Sequence, residues 1–268
     1  MPRTTSRDNP RLKEAVRLIG SSRDRHKAGR CVLEGTHVIA AYRTRYGAPE
    51  TLIVAESSLA DPEVRALSAG IPESRTLIVT EAAWSDLAQL PASVAALAVV
   101  PTPKEEFERA RDFCLLLEDV QDPGNVGSIL RSAAAAGVEQ VFLSRQCAFA
   151  WSPKVLRAGQ GAHFHLEIYE GVDLAEWARR YRGRVVAAVA AGGKPLFSTD
   201  LGTPLAIAVG NEGTGLSASV RGASSERVTI PMPGGFESLN AAAAAAICLF
   251  EAVRQRGKPR GLPVPKGR

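Results

Sequence analysis

Two five-residue runs, Phe113–Leu117 (FCLLL) and Leu205–Val209 (LAIAV), constrain the fold more than any other feature of the sequence. Neither contains a polar residue. A strand with one wet face alternates polar and apolar side chains, whereas an unbroken apolar strand is covered on both faces. Such strands belong to parallel sheets flanked by helices. Around them the pattern alternates: a helix over 125–136 closed by Gly137, a strand at 141–143, a helix over 173–181 and a strand over 184–190. A Gly-rich loop and short helix follow residue 209, then a strand at 228–230 and an Ala-rich helix over 238–254. This alternation predicts an α/β fold with a doubly wound parallel sheet over 106–256.

Residues 1–105 read as a smaller, separate α/β unit. A basic helix over 9–19 places Leu12, Val16 and Ile19 at helical spacing, and a polar turn follows at 20–25. A short strand at 31–33, a helix over 38–46 and a helix over 84–90 are expected, with a strand over 94–100. The near-repeats Thr51-Leu-Ile-Val and Thr76-Leu-Ile-Val read as two buried strands, because their β-branched residues suit a sheet better than a helix. Pro101-Thr-Pro-Lys-Glu-Glu reads as a linker, and residues 257–268, rich in Gly, Pro and base, as a mobile tail.

The net charge of +5 on 268 residues is modest, but it is unevenly spread. Residues 1–30 carry +6 and residues 257–268 carry +4, around a body that is slightly acidic. Basic ends favour a polyanion. No apolar run is long enough to span a membrane, and no apolar segment follows the first residues as in a secretory leader, so a cytoplasmic protein without a membrane partner is expected. Cys31, Cys114, Cys147 and Cys248 are widely separated, which argues against a disulfide framework or a zinc site. His163 and His165 would share a strand face, but no third ligand lies near them, so no metal is expected.

Three polar clusters each follow a strand, where open parallel sheets bind their ligands. The first contains Asn125, Gly127 and Arg131; Asn125 is placed to cap a helix, and Gly127 and Arg131 share a face. The second is Gly210-Asn-Glu-Gly-Thr-Gly-Leu216, with Glu212 inside a Gly-rich turn. The third runs from Ile230-Pro-Met232 to Ser238-Leu-Asn240, with Ser238 as the ordinary N-cap candidate. Taken singly, these are equally a helix cap with a surface charge, a bland turn, and the start of a buried helix.

Together, in this order and spacing, the clusters resemble the three signature motifs of the SpoU/TrmH family of RNA ribose 2′-O-methyltransferases, in the SPOUT class. The first is similar to N-x-G-x-x-x-R, the second to G-x-E-x-x-G-L, and the third to I-P-M followed by S-L-N. Ser152-Pro-Lys-Val-Leu-Arg157-Ala resembles the segment between the first two motifs. Val32-Leu-Glu-Gly-Thr-His37 is similar to the family's N-terminal substrate-binding domain, which is ribosomal-protein-like. Two departures stand out. Gly159-Gln160 replaces a usual Ser, and only Ala follows Asn240 where Val-Ser-Val is common.

The resemblance implies a C-terminal domain with a deep trefoil knot that binds S-adenosylmethionine, and a homodimer. It implies an RNA-binding domain over 1–105, a methyltransferase domain over 106–256 and a basic tail over 257–268. Val209, Gly210, Gly215, Ile230, Met232, Leu239 and Asn240 would hold the cofactor. Arg131, Asn125, Glu212, Ser238 and Asn240 would serve catalysis, with Arg131 as the family's activator of the ribose hydroxyl. The ribosomal-protein-like domain leans toward 23S rRNA over tRNA. A tRNA ribose methyltransferase and a non-catalytic RNA-binding protein are the alternatives. A nicotinamide oxidoreductase is disfavoured by the absent G-x-G-x-x-G.

Overall fold

The computed structural model describes residues 3–4, 8–84, 95–202 and 204–257. Its contacts divide into two compact units: Met1–Pro103 with Trp151–Phe164, and Lys104–Ala150 with His165–Arg268.

The first unit is built on a five-stranded mixed sheet of β1 (Arg3–Thr4), β2 (Arg30–Glu34), β3 (Thr51–Ala55), β4 (Thr76–Val79) and β5 (Ala96–Pro101). The order is β1-β4-β3-β5-β2, with β5 antiparallel to both neighbours. The two TLIV near-repeats lie side by side in β3 and β4, parallel, with Leu52 opposite Thr76. Among the described residues these strands are accompanied by α1 (Pro10–Gly20), α2 (Ser22–Ala28), α3 (Thr36–Tyr46), α4 (Pro62–Ser68) and α5 (Glu81–Trp84). The helix expected over 84–90 lies outside the described residues beyond Trp84, as does the tail beyond Gly257.

Residues 20–25, expected as a polar turn, are largely helical. Ser21 caps α2 by accepting the Asp24 N–H, and the Arg25 guanidinium is buried, donating to the carbonyls of Leu18 and Ile19 that α1 leaves open. Leu12, Ala15 and Leu18 of α1 pack with Val32, Ile53, Leu77 and Leu97. The basic N-terminal segment is therefore part of a core, with Arg17, Arg23 and Lys27 exposed on its surface.

The second unit holds seven strands, all parallel, in the order β10-β12-β9-β11-β6-β7-β8. In sequence these are β6 (Phe113–Leu117), β7 (Gln140–Leu143), β8 (Glu167–Tyr169), β9 (Arg184–Ala188), β10 (Lys194–Pro195), β11 (Leu205–Val209) and β12 (Glu226–Thr229). Every residue of β6 and β11 is buried, as two-sided coverage requires. The helices are α6 (Pro123–Ala135), α8 (Leu174–Arg180), α9 (Ala218–Ala223) and α10 (Ala241–Arg256), while α7 (Pro153–Gly159) lies in the segment grouped with the first unit. Gly137, at φ 77°, closes α6. Cys114, Leu116, Phe142, Trp177, Val185 and Ala206 pack on one face of the sheet, and α10 packs against α6 and β11.

The chain steps from β6 out to β7 and β8, then crosses to β9 on the far side before returning through β11. The carboxyl ends of β6 and β11 thus flank the point where the winding reverses, which is where sheets of this type open a crevice. His163 and His165 sit in a 3-10 turn, Ala162–His165, and not on a strand; His163 is fully buried and His165 exposed. All four cysteines are free. No helix of the described residues is long and apolar enough to cross a membrane.

Candidate active site

The loop after β6 begins by extending the sheet, as the Glu118 N–H donates to the Val209 carbonyl at 2.9 Å. Asp119 then takes a left-handed conformation, φ 55°, which an L-residue enters only at a cost. Its surroundings hold it there. Its N–H donates to Ser144 Oγ at 2.8 Å, Ser144 donates back to its carboxylate, and Asn211 Nδ2 donates to its carbonyl at 2.9 Å. Asp122 next caps α6, accepting the Asn125 N–H at 2.8 Å, with Pro123 in the first turn.

Asn125 is therefore not the cap expected from the sequence. It lies inside the first turn of α6, and its side chain is free for other work. Its Nδ2 donates to Glu212 Oε1 at 2.8 Å, and its Oδ1 accepts from Asn240 Nδ2 at 2.9 Å. Asn240 in turn caps α10, its Oδ1 accepting the N–H groups of Ala242 at 2.8 Å and Ala243 at 3.3 Å. The helix starts at Ala241 and not at Ser238, which stays in the preceding loop, exposed.

These bonds form a one-way relay. An ionised carboxylate only accepts, so Glu212 turns the amino group of Asn125 toward itself. The Asn125 carbonyl oxygen then faces Asn240, and the Asn240 carbonyl oxygen faces the helix N–H groups. All three motifs meet in this relay. Glu212 also takes long contacts, 3.4 Å each, from the N–H groups of Gln121 and Asp122. Burial alone would raise its carboxyl pKa, but the hydrogen bonds from Asn125 and the surrounding backbone outweigh that and hold it below the usual range.

Beside the relay lies a cavity of about 340 Å³, lined by residues after β9, β11 and β12 and by the loop before α10. Of the cofactor residues expected from the sequence, Val209, Gly210, Gly215, Ile230, Met232 and Leu239 border it, together with Glu212 and Ser238. Gly210 has no room for a side chain: a Cβ there would lie 2.3 Å from the Gly215 carbonyl carbon and 2.4 Å from the Leu216 nitrogen. The two ends of the Gly-rich loop thus touch backbone to backbone. Asn211, a functional residue outside the sequence-predicted set, ties the turn by accepting from the N–H groups of Gly213 and Thr214. Its position inside a run of glycines was the available signal, since Asn side chains build such turns. Arg131, six residues beyond Asn125 on α6, is exposed and is not brought into the relay.

A cavity of this size at the carboxyl ends of parallel strands, walled by bare backbone and apolar side chains, defines an α/β protein that binds a small molecule there. The profile of the SpoU rRNA Methylase family matches residues 112–250, and the chain belongs to that family. It is 32% identical to the 23S rRNA (uridine(2479)-2′-O)-methyltransferase of Streptomyces viridochromogenes over 98% of this chain and 96% of that protein. It is 29% identical to the 23S rRNA (guanosine(2553)-2′-O)-methyltransferase RlmP of Bacillus subtilis, over 93% and 98% of the two chains. The crystal structure of the SpoU methyltransferase AviRb from Streptomyces viridochromogenes in complex with AdoMet superposes with a TM-score of 0.81, at 29% identity, covering 92% of this chain and 98% of that one.

Proposed function

We propose that this chain is an S-adenosylmethionine-dependent RNA methyltransferase acting on a ribose 2′-hydroxyl, with 23S rRNA as its substrate. The observation that carries the reading is the Glu212–Asn125–Asn240 relay, in which the three family motifs close on one another beside the cavity. The cavity suits the cofactor. Its volume lies near the lower end of small-molecule pockets, and the loop around Gly210 offers bare backbone for hydrogen bonding. Val209, Ile230, Met232 and Leu239 supply apolar walls for an adenine ring and a methionine chain.

When bound, the cofactor supplies a methyl group on a positively charged sulfur. The protein's own part is to bind, orient and exclude water. Asn125 and Asn240 fix Glu212 and, through it, the loop that walls the cavity; Ser238 borders the space a ribose would enter. A guanidinium offers a fork of N–H donors, which suits Arg131 to holding phosphate or stabilising the developing alkoxide better than to taking up the hydroxyl proton. A deep trefoil knot formed by segments 209–216 and 230–240 fits the close backbone contact at Gly210. A homodimer through the helices of the second unit fits the exposed Phe250 on α10. Residues 1–105 would hold RNA and residues 106–256 carry out transfer, in the cytoplasm.

The test is to map 2′-O-methyl groups on rRNA and tRNA from cells with and without the protein, and to follow transfer of labelled methyl in vitro. A site in 23S rRNA that depends on the protein is expected. Dependence confined to tRNA would move the substrate; no transfer to either by folded protein would end the reading. RNA affinity is expected to depend on exposed cations of α1 and α2. Replacing Arg17, Arg23 and Lys27 by Ala should reduce the slope of log affinity against log salt by up to ~2, at about 0.7 per lost phosphate contact with a single strand. An unchanged slope would take this surface out of the account.

A further inference from the structure

Two features of the sequence take no part in that chemistry: Glu34 in Val32-Leu-Glu-Gly-Thr-His37, and the Gly159-Gln160 departure from the family pattern. In the first unit Glu34 and Gln160 border one cavity of about 300 Å³, together with Thr36, His37, Asp61 and Arg157. Glu34 ends β2, with its side chain only 4% exposed, and its Oε2 accepts no hydrogen bond. The Arg157 Nη1 stands 3.5 Å from that oxygen, close enough for attraction but not placed to donate well. Burial pushes the Glu34 carboxyl up, and Arg157 pulls it back in part. Gln160 is held in the left-handed region, φ 48° and ψ 41°, with Nε2 donating to the Arg157 carbonyl at 2.7 Å. That conformation is the helix C-cap of α7, closed by the Gln160 N–H on the Leu156 carbonyl; the buried Glu34 acceptor without a donor is what describes a site built for something else to complete.

We propose that this cavity receives an unpaired guanine base of the RNA substrate, with its N1–H and exocyclic amine donating to the Glu34 carboxylate and its O6 accepting from Arg157. The proposal rests on the reading of the chain as an RNA methyltransferase and names a part of that RNA the protein grips. Guanine is the one common base that presents two adjacent donors next to an acceptor, which complements a carboxylate beside a guanidinium. Uracil offers a single donor flanked by acceptors that a carboxylate repels, and adenine and cytosine offer one amine each. Proteins read unpaired RNA bases along this edge.

The charges argue for a base and against the other occupants. Glu34, Asp61 and Glu63 border the cavity against Arg157 and His37, which disfavours a phosphate. Glu63 is already engaged, accepting from Thr36 Oγ1 at 2.7 Å. Among the described residues no group of three or more His, Cys, Asp or Glu could hold a metal ion. A guanidinium from a protein partner has the right donor pair, but Arg157 would repel it.

The experiment compares binding of the full chain to the pentanucleotides UUGUU, UUIUU, UUAUU, UUCUU and UUUUU, where I is inosine, which lacks only the exocyclic amine. UUGUU should bind about tenfold tighter than the inosine oligonucleotide and the others, as expected for one donor lost from a buried charged acceptor. Glu34→Gln should erase the preference while leaving S-adenosylmethionine binding unchanged. Equal binding of all five, no binding of any at millimolar concentration, or displacement of UUGUU by an arginine peptide would overturn the proposal. The inosine comparison uses the wild-type chain and holds even if the variant fails to fold. A lost guanine preference with methyl transfer intact removes this site alone. A guanine preference without methyl transfer to any RNA removes the proposed activity and leaves the site.

Discussion

Glu212 follows a buried strand and Glu34 ends one, and the protein treats them in opposite ways. Glu212 is exposed yet well supplied: Asn125 donates to it and two backbone N–H groups point at it, so its carboxyl pKa falls. Glu34 is buried and its Oε2 goes without a donor, so its carboxyl pKa rises. Burial by itself does not decide how a carboxylate behaves; the number of donors aimed at it does. The second unit holds a site whose protein groups already satisfy one another. The first holds one that stays incomplete until a donor arrives.

The comparison breaks most visibly if the finished site does not depend on groups outside its relay. Arg131→Ala should cut methyl transfer by about 10²- to 10³-fold, the usual loss for one stabilising charge at a reacting oxygen, while S-adenosylmethionine still binds. Single-turnover transfer and calorimetry measure the two separately, and equal turnover by the variant would remove Arg131 from the chemistry. Gly210→Ala forces a methyl into backbone that cannot give way. A loss of cofactor affinity of about tenfold or more is expected, with ~1–3 kcal/mol of stability, read by calorimetry and denaturant unfolding.

Glu212→Gln tests the relay directly, since an amide that presents its one oxygen to Asn125 must turn its own N–H donors toward the Gln121 N–H. Transfer should fall by roughly tenfold, with a smaller change in thermal stability. The sign with pH follows from the lowered pKa. The relay is complete above the ordinary carboxyl range and fails only as pH drops through the depressed value. Wild-type cofactor binding should hold constant through pH ~4.3, where an ordinary glutamate is half protonated.

Glu34→Gln gives the smallest effect and the opposite sign. Folding raises this pKa, so the wild type loses stability as pH climbs through the ordinary carboxyl range and on to the raised value. The glutamine has no proton to lose. In the absence of RNA the variant should melt a few degrees higher than wild type above neutrality, with the gap closing below about pH 4. A variant that melts lower at every pH would show that Arg157 alone satisfies the carboxylate.

The fold was most legible where composition left one option. FCLLL and LAIAV could only be two-sided strands, and the paired TLIV segments could only be sheet. The short helix after Gly20 was hidden because its stability lies in one buried guanidinium closing the carbonyls of α1, a tertiary contact that no local pattern displays. The site was legible as a set of residues but not as a set of roles. Asn125 loses the cap expected of it to Asp122, which reaches the first helix start before it, and Asn240 takes the cap expected of Ser238, because it stands immediately before Ala241. Spacing named both asparagines as important; only the hydrogen bonds say that Asn125 bridges while Asn240 bridges and caps at once. Glu34 was visible in its motif, but its missing donor was not, since burial is a property of the packed chain.

The bare backbone at Gly210 has a genetic consequence. Every single-base change in a glycine codon that alters the residue adds at least a β-carbon, and none fits between residues 210 and 215. The position has no neighbouring codon through which a lineage could drift and return. Any descendant that carries a different residue there must have rebuilt the whole loop or given up the cavity. The same codon changes at Gly213, where a β-carbon would meet only the Asn211 side chain at 3.6 Å, leave room for variation three residues away.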